Sequence, residues 1–182
     1  MEDTFDLIAA GLYNLASMLV GESEEAAEAV ETAIATADVS TCSDAEQAQK
    51  SSRMALSRAA LDLLVLRDPG SLVAPKNLAP TTTCIQDDDL DTGGISGQEL
   101  ARLLSGPEKE RVRTWLTSLP TDFRVVFALR AVAGFSSFEV ANLLTTHGTP
   151  SGAGWTANDV REVFRQALCS LASQVIHATA SR

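Results

Sequence analysis

This sequence predicts an all-α protein, and three observations carry that expectation. Apolar residues recur at helical intervals over most of the 182 residues, two-residue alternation is scarce, and Ser or Thr caps followed three residues later by Glu or Asp open several of the runs. The composition is 45% hydrophobic but only 5% aromatic, which points to a core built mainly of Leu, Val and Ala. Clustered Pro, Gly and Thr divide the chain into a small helical bundle over 1–68, a flexible linker over 69–95 and a second helical domain over 96–182.

The first helix is expected from Thr4 to Val20. Phe5, Ile8, Leu12, Leu15, Met18 and Leu19 recur at helical spacing, and Gly21 stops the run. A second helix, about Glu24 to Ala37, places Ala26, Val30, Ala33 and Ile34 on one face and Glu24, Glu28 and Glu31 to one side of it. Ser43 with Glu46 forms a capping box for a third helix to about Leu66, burying Met54, Leu61, Leu64 and Val65 before Asp68-Pro69-Gly70 ends it.

Past the linker, Ser96 and Glu99 cap the "LARLL" turn, and Gly106-Pro107 separates it from a helix reaching Leu119. Pro120 breaks the chain, and a helix from about Thr121 to Val132 buries Phe123, Val126, Phe127 and Leu129. Gly134 turns the chain, Ser136 or Ser137 caps a short helix with Val140, Ala141 and Leu144, and a Gly/Pro loop follows. Thr156 and Asp159 open the last helix, with Val160, Phe164, Ala167, Leu168, Leu171 and Val175 on its core side.

Charge and chemistry narrow the function classes. The net charge is -10, but residues 1–104 hold 18 acidic and 6 basic residues, whereas residues 105–182 hold 6 and 8. Only the C-terminal part, at a net of +2, has a balance compatible with phosphate contacts. The apolar stretch Leu7 to Val20 follows Glu2, Asp3 and Asp6 and is interrupted by Asn14, so neither a signal peptide nor a membrane helix is expected, and the reading is a cytoplasmic protein.

Cys42, Cys84 and Cys169 are odd in number and widely spaced, which points to buried or free thiols rather than a disulfide framework, and no metal-ligand spacing joins them to His147 or His177. Cys169 near His177 has no oxyanion loop or orienting acid, so no catalytic residue and no cofactor is assigned. The run Asp87–Asp89 with Asp91 reads as a solvated linker, because Leu90 and Thr92 stand where a calcium loop needs ligands.

The stretch "SLPTDFRVVFALRAVAGFSSFEVANLL" resembles a pattern of the extracytoplasmic-function sigma factors, the small two-domain initiation subunits of bacterial RNA polymerase. The match is carried by Leu119, Pro120, Phe127, Leu129, Arg130, Gly134, Glu139, Val140, Ala141 and Leu144. "WTANDVREVFRQALCSL" is similar to that family's recognition helix, and "GESEEAAEAVETAI" looks like its acidic polymerase-facing segment. The resemblance implies a helix-turn-helix at the end of the C-terminal domain. Asn158, Arg161, Glu162, Arg165 and Gln166 would face promoter DNA, and Glu24, Glu28 and Glu31 would face core RNA polymerase.

Two departures from the family are plain. The recognition segment carries Asp159 and Glu162 beside its two arginines, and no Phe, Tyr or Trp lies between Tyr13 and Trp115 to stack single-stranded bases, although Lys50, Arg53 and Arg58 remain as cations. The expected function is therefore a sigma-like initiation protein, with an anti-sigma factor as a further possible partner. The alternative is a sigma-derived interaction module that no longer binds promoters.

Overall fold

The computed structural model describes residues 2–21, 24–37, 44–75, 84–85, 109–148 and 154–180. The described residues form helices α1 (Glu2–Val20), α2 (Glu24–Thr36), α3 (Ala45–Arg67), α4 (Lys109–Ser118), α5 (Thr121–Phe127), α6 (Ser137–His147) and α7 (Ala157–Ala180), and no strand occurs among them. The all-α expectation holds. The capping box at Ser96 and Glu99, the "LARLL" turn, Cys42 and the Asp87–Asp91 run lie outside the described residues.

α1 buries Leu12, Leu15, Ala16, Leu19 and Val20, an i, i+3, i+4 stripe that faces α2 and α3. Gly21 ends it at φ 103°, a left-handed conformation that glycine adopts without a Cβ clash. α2 packs through Ala26, Ala29 and Ala33, whose small side chains let its backbone approach α1 and α3 closely. This face is rotated from the expected one, leaving Ile34 65% exposed, because alanines rather than the largest apolar residue fit that close approach.

α3 is capped by Asp44, whose carboxylate accepts the Gln47 N–H at 2.8 Å. The expected cap, Ser43, lies outside the described residues, and Asp44 takes the role one position later. α3 is buried on more than one side, through Ala55, Leu56, Ala59, Ala60, Leu61 and Leu64, because α1 and α2 cover one side and α6 another. The buried Ser57 hydroxyl donates to the Arg53 carbonyl at 2.7 Å, so it costs the core no unpaired donor.

In the C-terminal helices, Phe127 is the centre of packing. Trp115 meets it edge-on with ring centroids 5.0 Å apart, and Phe164 lies 6.1 Å away on the other side. The Trp115 indole donates to the Ser170 hydroxyl at 3.1 Å, fixing α4 on α7. α5 continues as a π-helical turn over Ala128–Val132, where the Ala133 N–H reaches back to the Ala128 carbonyl at 3.0 Å. The expected single helix over this stretch thus spans the right residues but widens at its end. Gly134 at φ 75° then reverses the chain into α6.

Both later helices begin with reciprocal caps. Ser136 and Glu139 form a full capping box on α6, while Thr156 and Asp159 exchange the same pair of bonds at the head of α7. Ser137, the other candidate cap, is buried instead.

The buried side chains of α1–α3 and α4–α7 belong to one continuous apolar cluster, joined where α3 meets α6 and α1 meets α5. Residues after α3 take part in it. Leu72 is fully buried, its carbonyl accepts the Trp155 indole N–H at 2.8 Å, and Ile85 packs against the cluster. Cys84 and Cys169 are joined as a disulfide, against the expectation of separate thiols. A separation of 85 residues leaves no spacing signal for such a bond; only the fold brings the two cysteines together.

Candidate nucleic-acid and partner surfaces

α7 buries Val160, Val163, Phe164, Ala167, Leu168 and Leu171 against α4, α5 and α6. Asn158, Arg161, Glu162, Arg165 and Gln166 lie outside that stripe, as a reading face requires. Asn158 is exposed, and the other four are half-buried. Glu162 organises them: the Arg165 guanidinium donates to one carboxylate oxygen at 2.6 Å, and the Gln166 amide donates to the other at 3.2 Å. Arg165 keeps only 13% of its side chain exposed. One of its terminal nitrogens, Nη1, is thus paired with Glu162 within the helix.

Phe164, beneath this face, carries the Arg130 guanidinium 5.2 Å from its ring centroid, and Arg130 also donates to the Phe135 carbonyl at 2.6 Å. These contacts lock the turn between α5 and α6 onto α7. They place the head of α7 relative to α6.

The second candidate surface is on α2. Glu24, Glu28 and Glu31, spaced four and three apart, are exposed, and no hydrogen bond or ion pair among the described residues engages them. Glu25, by contrast, turns toward α3 and accepts from Arg67 at 2.9 Å. Arg67 also donates to the Val20 carbonyl, tying the end of α1 to the end of α3.

Between the two groups of helices lies a polar joint that the sequence pattern does not reveal. Lys50 on α3 meets Glu139 on α6 at 2.7 Å, Asp62 meets His147 at 3.0 Å, and Arg53 reaches the Ala133 carbonyl at 3.5 Å. The Lys50 ammonium, together with the Ser136 backbone N–H, holds the Glu139 carboxyl down at about 2. Burial lowers the pKa of Arg53, and it lowers that of Arg124, where the neighbouring charge of Arg67 acts in the same direction.

Two of the three α3 cations considered for single-stranded DNA, Lys50 and Arg53, are therefore turned to α6 and the turn before it, while Arg58 is exposed. The partners in this joint stand 80 or more residues apart, so no local spacing signals them.

Among the described residues, no group of three or more His, Cys, Asp and Glu side chains is placed to hold a metal ion, and no helix is long and apolar enough to cross a membrane. No family model, curated protein or solved structure matches this chain.

Proposed function

We propose that the chain is a sigma-factor-like transcription initiation protein that binds core RNA polymerase and promoter DNA. In this reading the helices before residue 69 form a polymerase-binding domain, and the helices after residue 95 end in a helix-turn-helix. The observation that carries the proposal is the pair of capped helices α6 and α7 packed on each other, α6 also on the π-helical turn and α7 on α5, with Asn158 and Arg161 outside the buried stripe of the second helix. The exposed row Glu24, Glu28 and Glu31 supplies an acidic face for a basic surface of the polymerase. The role is binding and positioning, with no bond made or broken by the chain's own residues.

A second reading is favoured by the Arg165–Glu162–Gln166 network and by the engagement of Lys50 and Arg53 with the C-terminal helices. It is a sigma-derived protein-interaction module that has lost promoter binding.

Two binding measurements separate them. Retention of the protein on immobilised core polymerase, lost on Glu28→Lys with Glu31→Lys, supports the polymerase face in either reading. Anisotropy titration of duplex DNA over a range of salt then decides: a steep fall of affinity with salt supports initiation, and no binding at low salt supports the interaction module.

A further inference from the structure

We infer that Arg67 and Arg124 form a binding site for a phosphate-type oxyanion, where the end of α3 comes close to α5. Placement supports this first. Arg67 closes α3, and its Nη1 donates to the Val20 carbonyl at the end of α1 and to Glu25 at the head of α2, so its guanidinium is fixed where three helix ends meet. Arg124 stands on α5, a helix that packs on α1. It is half-buried, and its covered Nε–H finds no acceptor among the described residues.

Electrostatics supports it next. A covered guanidinium is normally matched by an acid or a carbonyl, because burying it without a partner is costly. At Arg124 the two influences on the charge, burial and Arg67, both oppose it. The carboxylates closest along the chain or at the same corner are engaged elsewhere. Glu25 accepts from Arg67 at 2.9 Å, Asp68 from the Gly70 N–H at 3.1 Å, and Asp122 from the Phe123 N–H at 3.0 Å.

The chemistry of the pair selects the ligand. A planar carboxylate is served by a single guanidinium, as Glu25 is by Arg67. Two guanidiniums at one place suit a tetrahedral group, whose oxygens point in several directions and accept charge-assisted bonds from both. Arg67 is exposed, so such an anion reaches the pair from solvent. Glu25 competes with it for Arg67 and so weakens its binding.

The site does not depend on the sigma-like reading. A free phosphate and a nucleic-acid backbone carry the same group, and the test separates them.

Inorganic phosphate is titrated into the full chain at constant ionic strength, and the arginine Nε–H signals are followed by NMR in mildly acidic solution. Arg124 and Arg67 are expected to shift together and to saturate, while Arg58, an exposed cation elsewhere on α3, stays still. Arg124→Gln should weaken phosphate binding at least about tenfold, the effect of losing one charge-assisted contact. Glu25→Gln, which frees Arg67 from its carboxylate, should tighten it by about threefold or more.

Shifts that follow ionic strength without saturating, equal binding of acetate, or unchanged phosphate binding by Arg124→Gln would overturn the site. The titration of the unaltered chain needs no variant, so a poorly folding Arg124→Gln chain leaves the test intact. Duplex DNA of mixed sequence is then added to the phosphate-loaded chain. Displacement of phosphate from Arg124 assigns the site to a backbone phosphate, and retention assigns it to free phosphate or a small phosphorylated molecule; both results keep the site. A saturable phosphate site in a chain that binds no DNA would keep the inference and reject promoter binding.

Discussion

The acidic face of α2 and the polar face of α7 use similar numbers of charged side chains in opposite ways. On α2, Glu24, Glu28 and Glu31 stand exposed, while the one glutamate that turns inward, Glu25, is matched by Arg67. On α7, Arg165 is mostly covered and donates through Nη1 to Glu162, which also accepts from Gln166. The first surface presents its charge to solvent. The second balances much of its charge internally, so any partner that reads it must compete with contacts already made. The difference teaches that two helices with similar numbers of charges can offer opposite surfaces, one turning its charges outward and the other pairing them with one another.

The most damaging way to break the comparison is to remove the floor of α7. Phe164→Ala takes away the ring that meets Phe127 and supports Arg130, and unfolding by denaturant should show a loss of about 3–5 kcal/mol. A loss under 1 kcal/mol would mean that the face is not held by this packing.

A sharper probe leaves the floor alone. Glu162→Gln removes the carboxylate that engages Arg165 and raises the net charge of the face by one. Affinity for duplex DNA should rise, with the salt slope steeper by about 0.9, the signature of one added phosphate contact. Unchanged affinity and slope would show that the internal pairing does not restrain the arginine.

The joint between the two regions gives a smaller effect with a defined pH window. Glu139 is held at about 2 in the folded chain, below its ordinary 4.5, so its stabilisation is fully present above 4.5 and is lost as pH falls toward 2. Lys50 is 55% exposed, and screening by water limits the contribution to about 1 kcal/mol. Glu139→Gln should lower stability by about that amount at neutral pH and should lack this part of the acid dependence. An identical acid profile in both proteins would contradict the assignment.

The smallest effect on stability belongs to α2. Replacing Glu24, Glu28 and Glu31 together by Gln should move the unfolding free energy by no more than about 0.5 kcal/mol, because none supports the core. The same variant should lose core polymerase in a pull-down. Retained binding with unchanged stability would return this face to a merely solvated one.

How much of this the sequence made legible depends on distance along the chain. Periodicity located α1, α3, α5, α6 and α7, because a buried stripe and its cap are written within a few residues of each other. The face of α2 came out rotated, since sequence reasoning ranked Ile34 above Ala29, whereas a close helix approach selects the smaller side chain. The placing of Asn158 and Arg161 outside the buried stripe was legible from the same periodicity, whereas the covering of Arg165 was not. The hydrogen bond between Gln166 and Glu162 joins residues four apart, a spacing that is present in the sequence. Lys50 with Glu139, Asp62 with His147 and Cys84 with Cys169 were not legible, because each pair is assembled by tertiary packing and leaves no local pattern.

Run-off transcription tests the central claim most directly, with purified core polymerase, genomic fragments from the organism that carries this chain, and the protein assayed both oxidised and reduced. The sigma-like account predicts specific transcripts that appear only when the protein is added and that weaken when Arg161 is changed to Ala. No transcripts in either redox state, from a core on which a control sigma factor is active, would contradict it and leave the interaction module as the reading of this fold.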